Sequence, residues 1–335
     1  MARPQPLTPD DVRQGVFDGS IDTVAVALTD MQGRLQGKRI DADYFVEEVM
    51  TGHTEGCNYL MAVDVDMNTV DGYAMSSWER GYGDMVMTPD LTTLHRVSWQ
   101  PGTVGVLCDL STEEGEPVAP SPRQVLRRQL DRFWRAGFSL HIHVNGDEGL
   151  DVVLGDLAEL PPAARGQTIT LEHLGYSTEA QNRRIARMGL MVSAQPNYIR
   201  VLGDAYEREG LGPGRSAMID RLGSLERKGV PLGLHSDFNM APIDPLYLAW
   251  VAANRVTIEG AVKAPEERLS LDKALRAVTI EAAQVIGMDA MVGSIAPGKR
   301  ADFTVLDQDP YRLGAARLRE ARIEGVLFEG AFTPA

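Results

Sequence analysis

The sequence predicts an α+β first part, then an α/β part on a short parallel sheet, then a turn-and-strand tail. Three observations carry that expectation. From residue 21 to about 110 the chain is a series of short β-rich runs split by turns. From about residue 122 strand-like and helix-like runs alternate, with helices of about 10–15 residues, the rhythm of βαβ units. Beyond about residue 290, GSIAPGKRADFTVLDQDP returns to turns and short strands.

DTVAVALTD alternates apolar and polar residues from Val24 to Leu28, as a half-buried strand does. Asp30–Gly33 (DMQG) reads as a hairpin turn with RLQGKRI as the returning strand. LMAVDVDM and TVGVLCDL read as two further strands. NTVDGYAMSSWERGYGDMVMTPD between them reads as a long loop, and such loops are commonly functional. PRQVLRRQLDRFWRAGF is a helix ended by Gly137, and SLHIHV is the strand that follows. Then come helix GLDVVLGDLAEL, strand QTITLEH, helix TEAQNRRIARMG and strand LMVSAQP. After a longer excursion, SAMIDRLGSLERKG reads as a helix and PLGLHSD as the fourth strand. DPLYLAWVAANRVT and SLDKALRAVTIEAAQVIG read as two closing helices. The four strands end at His143, His173, Ala194 and Asp237.

The bulk numbers narrow the function. At 335 residues, 44% hydrophobic and 24% charged, the chain suits two globular domains. Its 33 Lys and Arg stand against 47 Asp and Glu, and no basic run interrupts this net charge of −14. Neither nucleic acid nor an anionic membrane is an expected partner. Cys57 and Cys108 lack metal-type spacing and suit a reducing compartment. The opening MARPQPLTPDDVRQG lacks a signal-peptide profile, and no apolar run approaches the ~18 residues of a membrane span. A cytoplasmic location is expected.

Function in parallel α/β folds gathers at the C-terminal ends of the strands. His143, His173 and Asp237 close three of the four strands. His141 shares a face with His143, and His235 with Asp237, because residues two apart on a strand do. Two imidazoles and a carboxylate on neighbouring strand ends form a catalytic zinc set, with water in the open position. Each motif alone is weak: HIH arises by chance in strands, and Ser-Asp after a strand is often a helix cap. Their shared placement is the stronger signal, since four of the six histidines fall at or near strand ends. His53 and His95 lie in the other half and read as surface residues.

HIHVNGDEGLD, ITLEHLGY, VSAQPNYI, LHSDFNMAPIDPL, LSLDKALRAVTIEAAQVIG and GSIAPGKRADFTVLDQDP together carry a resemblance. Residues ~135–333 resemble the C-terminal part of the amidohydrolase superfamily, in the branch that includes N-substituted formamide deformylases. The resemblance implies a (β/α)₈ barrel that uses one or two zinc-type ions to hydrolyse C–N bonds. It implies His143 as the strand-five ligand and His173 as the strand-six ligand. Asp237 is implied as the strand-eight aspartate that binds metal and takes a proton from the attacking water. GSIAPGKRADFTVLD matches the small β-sandwich beside the barrel. HIHVNGD therefore answers to strand five and not to the first-strand His-x-His. No counterpart of strands one to four stands upstream, so a partial TIM barrel of strands five to eight is expected, with a sandwich remnant.

The first part resembles a different family. TDMQGRLQGKRI, EGCNYLMAVDVDMNTVDGYAMSSWERGYGDMVMTPD and GEPVAPSPRQVLRRQL look like the N-terminal β-grasp domain of glutamine synthetases, most of all the γ-glutamyl-amine ligases. That resemblance spans residues ~15–125. It implies that Asp71, Ser76, Ser77 and Asp84 form an ammonium- or amine-holding loop. No counterpart of the catalytic domain follows, so no ATP site is expected. The expected organisation is 15–122 β-grasp-like, 123–290 partial barrel and 291–335 sandwich remnant. The expected function is a weak, metal-dependent C–N hydrolase with one zinc-class site and a small amide substrate. His141 and His235 are expected as further ligands or substrate contacts. The alternative is a non-catalytic ligase-like module that associates with glutamine-synthetase-like subunits or with itself.

Overall fold

The computed structural model describes residues 7–72, 79 and 81–335. The chain divides into two compact units, Met1–Asp131 and Arg132–Ala335. No helix of the described residues is long and apolar enough to cross a membrane.

The first unit opens with helix Pro9–Phe17, whose start is fixed by a Thr8–Asp11 capping box. Its sheet contains β1 (Thr23–Thr29), β2 (Leu35–Asp41), β3 (Thr54–Cys57), β4 (Asp84–Pro89), β5 (His95–Arg96) and β6 (Thr103–Ser111). The order is β2-β1-β6-β4-β3, with β5 also on β6. β1 and β6 run parallel, and the other pairs are antiparallel. Alternation in β1 buries Val24, Val26 and Leu28 against Val104, Val106, Met85, Met87 and Phe45. The expected hairpin is present, and Asp30 builds its turn. The carboxylate accepts from the Gln32 and Arg34 amides at 2.9 and 2.8 Å and from Arg34 Nε at 2.7 Å. Burial would raise its pKa, but the bonds from Arg34, Gln36 and Gln32 hold it below the usual carboxylate range.

Two expectations fail here. LMAVDVDM is not a strand: Asn58–Met61 is a 3₁₀ turn. Asp64 Oδ1 then takes the amides of Asp66 and Asn68, both at 2.9 Å, and bends the chain. Conversely, the stretch read as one long loop ends in β4, which is seated between β6 and β3.

The second unit carries β7 (Leu140–Val144), β8 (Ile169–His173), β9 (Met191–Ala194) and β10 (Leu232–Leu234). They form one four-stranded sheet in the order β10-β9-β8-β7. Every pair is parallel. Helices Asp147–Ala158, Glu179–Arg187 and Leu222–Arg227 connect the strands in turn. The helix expected from Ser216 starts only at Leu222, because Asp220 takes a left-handed φ of 48°. The last expected helix splits into Leu271–Arg276 and Ile280–Val285. Between them Thr279 Oγ1 donates back to the Leu275 carbonyl at 2.8 Å, a bond that competes with the helix ladder.

The two edges of this sheet differ. In β10, alternate amides point away from β9. Leu232 N–H donates to Glu281 Oε2 at 2.9 Å, and Leu234 N–H to the Ala277 carbonyl at 2.8 Å. Helix Ile280–Val285 lies close enough that a Cβ on Gly233 would meet Val285 at 2.7 Å. On β7, Leu140 N–H faces β8 and bonds the Thr168 carbonyl, so the His141 and His143 amides face outward. The tail is an antiparallel meander of β11 (Phe303–Leu306), β12 (Ile323–Phe328) and β13 (Ala331–Pro334).

Candidate active site at the strand ends

Parallel strands bring their C-terminal ends side by side. β7 buries Leu140, Ile142 and Val144 on one face and turns His141 and His143 to the other. The register pairs His143 with Glu172, and Glu172 with Ser193. Paired positions share a face, so these three side chains form a row. His235 follows β10 and joins them: its Nδ1 lies 2.8 Å from Ser193 Oγ and 3.6 Å from Glu172 Oε2. His141 Nδ1 lies 2.6 Å from Glu172 Oε1. Glu172 thus stands between two imidazoles.

His173 is at the centre of the cluster and only 9% exposed. Its ring is 4.6 Å from that of His143, 4.9 Å from His235 and 6.0 Å from Tyr198. Left-handed φ values at His173 (67°) and Leu174 (54°) end β8 and turn the ring out of simple alternation. Non-glycine residues in that region cost about 1–3 kcal/mol each and gather at functional sites. Gln195 Oε1 lies 2.9 Å from His173 Nδ1, and Gln195 Nε2 donates to the Ser236 carbonyl at 3.4 Å. The amide oxygen only accepts, so His173 carries its proton on Nδ1 and its lone pair on Nε2. His235 Nε2, 3.1 Å from the same nitrogen, shares that proton as a second acceptor. Burial pushes the His235 pKa down against the opposing pull of Glu172.

Asp237 is exposed beyond β10, with a left-handed φ of 51°. It therefore leaves the strand alternation that would align it with His235. Among the described residues, no three His, Cys, Asp or Glu side chains converge on one metal position. The donor chemistry nonetheless suits a zinc-class ion. His173 has the tautomer a ligand needs, with its other nitrogen held by a carbonyl oxygen. His143 stands beside it, and the Asp237 carboxylate lies on the loop after β10.

The remaining expected residues lie in the first unit. Asp71 is an exposed turn residue, and Asp84 opens β4 opposite Cys57. Ser76 and Ser77 fall outside the described residues. Glu172, Ser193, Gln195, Asn145 and Tyr198 were not anticipated. The first two were within reach of sequence reasoning, since a parallel register of LHIHV against ITLEH sets Glu172 opposite His143.

A model described as the amidohydrolase family matches residues 74–334. N-substituted formamide deformylase from Arthrobacter pascens is 31% identical over 208 residues, 59% of this chain and 37% of that protein. Gamma-glutamylethanolamide synthetase GlnA4 from Streptomyces coelicolor is 54% identical over 140 residues, 42% of this chain and 30% of that protein. The chain thus spans between 30% and 37% of the length of these curated relatives. Among solved structures, an uncharacterized metal-dependent hydrolase from Pyrococcus horikoshii superposes with a TM-score of 0.50 at 26% identity. That match covers 62% of this chain and 41% of the other.

Proposed function

The chain belongs to the amidohydrolase family, and from that premise we propose that it is a weak hydrolase of non-peptide carbon–nitrogen bonds in small amides. One observation carries the reading: the imidazoles of His143, His173 and His235 stand ring to ring at the ends of parallel strands. A divalent ion of the zinc class would be held by His143 and His173, with Asp237 as the carboxylate. Such an ion, when bound, lowers the pKa of its water to about 7 and polarises a carbonyl. The protein's own groups do the rest. Gln195 holds the His173 proton on Nδ1. Ser193 and Glu172 orient His235 through its Nδ1. Asp237, exposed to incoming water, is the proton acceptor. Among the described residues no three such side chains converge on one metal position, and a weak activity is what this reading expects.

Metal content per chain, read by elemental analysis alongside hydrolysis of N-substituted formamides, tests this. The expected result is about one zinc-class ion per chain, lost together with hydrolysis in the His143→Ala, His173→Ala double variant. Hydrolysis that survives both substitutions would remove the reading.

A second reading has its own support in the 54% identity to the synthetase relative. On it, the first unit is a β-grasp module of the ligase type, with the parallel β1–β6 pair at its centre. It would associate with glutamine-synthetase-like subunits and offer Asp71 and Asp84 to an amine, without catalysis of its own. Co-purification with such a subunit supports it, and indifference to that subunit removes it.

A further inference from the structure

A cavity of about 660 Å³ opens beside the histidine cluster in the second unit. It lies over the loops that leave the strand ends, and its walls include Asn145, Tyr176, Tyr198, Leu202, Tyr206 and Glu209. The volume suits a small organic ligand, for which pockets run about 300–1,000 Å³. It adjoins the cluster through Tyr198, whose hydroxyl accepts from Asn145 Nδ2 at 3.2 Å while its ring stands 6.0 Å from that of His173. Gly175 leaves room there for both side chains. A Cβ at that position would meet Asn145 Oδ1 at 2.7 Å and Tyr198 at 3.5 Å.

The charge of the walls is one-sided. Among the described lining residues there is no Lys, Arg or His, and Glu209 is the single carboxylate. Arg215 lies over the Tyr176 ring, 5.6 Å from its centre, and is paired with Asp147 at 2.6 Å. A carboxylate entering the cavity would lose water without gaining a counter-charge. A neutral apolar group loses nothing of that kind. A cation meets tyrosine faces and Glu209, both of which attract it.

We propose that this cavity holds the apolar arm of the amide substrate, accepts it neutral or cationic, and rejects it when it carries a carboxylate. The proposal rests on the hydrolase reading only for the identity of the bond broken; the binding preference belongs to the cavity.

The test uses the full chain and three probes that share one frame and differ in charge. They are N-benzylacetamide, N-[4-(aminomethyl)benzyl]acetamide and 4-(acetamidomethyl)benzoate, with binding measured by titration calorimetry. The neutral and cationic probes are expected to bind at least about tenfold more tightly than the benzoate, the cost of a charge left unpaired. Glu209→Gln is expected to weaken the cationic probe several-fold and leave the neutral one in place. Tyr206→Ala should weaken the neutral and cationic probes together. Met240→Arg, which sets a cation in the exposed wall, should raise benzoate affinity. Benzoate binding as tight as the neutral probe, or no measurable binding of any of the three, overturns the proposal. Hydrolysis is followed separately. The expected binding order without turnover removes the hydrolase reading and leaves the cavity assignment standing. Turnover with the benzoate as the preferred substrate does the reverse.

Discussion

Arg255 is the largest fully buried side chain among the described residues, and its hydrogen-bond acceptors are backbone carbonyls. It donates to the carbonyls of Lys263 (2.6 Å), Asp220 (2.6 Å), Ile219 (2.7 Å) and Ala217 (3.0 Å). Burial pulls its pKa down to about 10, which still leaves it charged at pH 7. Arg255→Met would leave these buried carbonyls without their donor. A loss of about 3–5 kcal/mol is expected in urea denaturation. Asp220 presents the opposite case. Its carboxyl is fully buried and has no hydrogen-bond partner among the described residues. Burial raises its pKa well above 3.8, against the pull of Arg255. A raised folded pKa gives a contribution that is complete below about 3.8 and lost as pH climbs through the folded value. Asp220→Asn removes the ionisation and suits the φ of 48° there. The variant should melt at or above the wild-type temperature at pH 8, with its advantage gone at pH 4. A lower melting point at pH 8 would contradict this account.

Single elements show where sequence reasoning reached and where it stopped. The βα rhythm after residue 122 was legible because each apolar run is bounded by a local stop, such as the left-handed glycines Gly137, Gly189 and Gly229. The histidines at the strand ends were legible for the same reason: position on a strand is a local property. The partners of those histidines were not. Glu172, Ser193 and Gln195 acquire their roles through the register between strands and through the left-handed turn at His173. Asp237 was expected to align with His235, but its own left-handed turn takes it out of line. In the first unit, Asp64 bends a run that had the composition of a strand. The edge of β10 was equally hidden, because its cover comes from helix Ile280–Val285, nearly fifty residues further along. Glu281 also binds Lys273 at 2.5 Å and Arg276 at 3.1 Å. Glu281→Ala would strand the Leu232 amide and two cations. A cost of about 2–4 kcal/mol is expected in denaturation, with increased light scattering as the edge is exposed.

At the scale of the whole molecule, the net charge of −14 disfavours close approach of copies at low salt. Against that repulsion stands β7, which pairs on one side only within its sheet. Edge strands left bare recruit other strands. Sedimentation velocity at raised ionic strength should therefore show self-association, and His141→Lys, which sets a fixed charge on the edge strand, should suppress it.

The asymmetry of that sheet decides what such self-association can become. Growth by strand addition needs two free ends, one to join and one to be joined. Here one end is already stoppered by Glu281 and the Ala277 carbonyl. Two copies that meet through β7 present only stoppered ends outward, so through this sheet the count stops at two and a fibre has nowhere to begin.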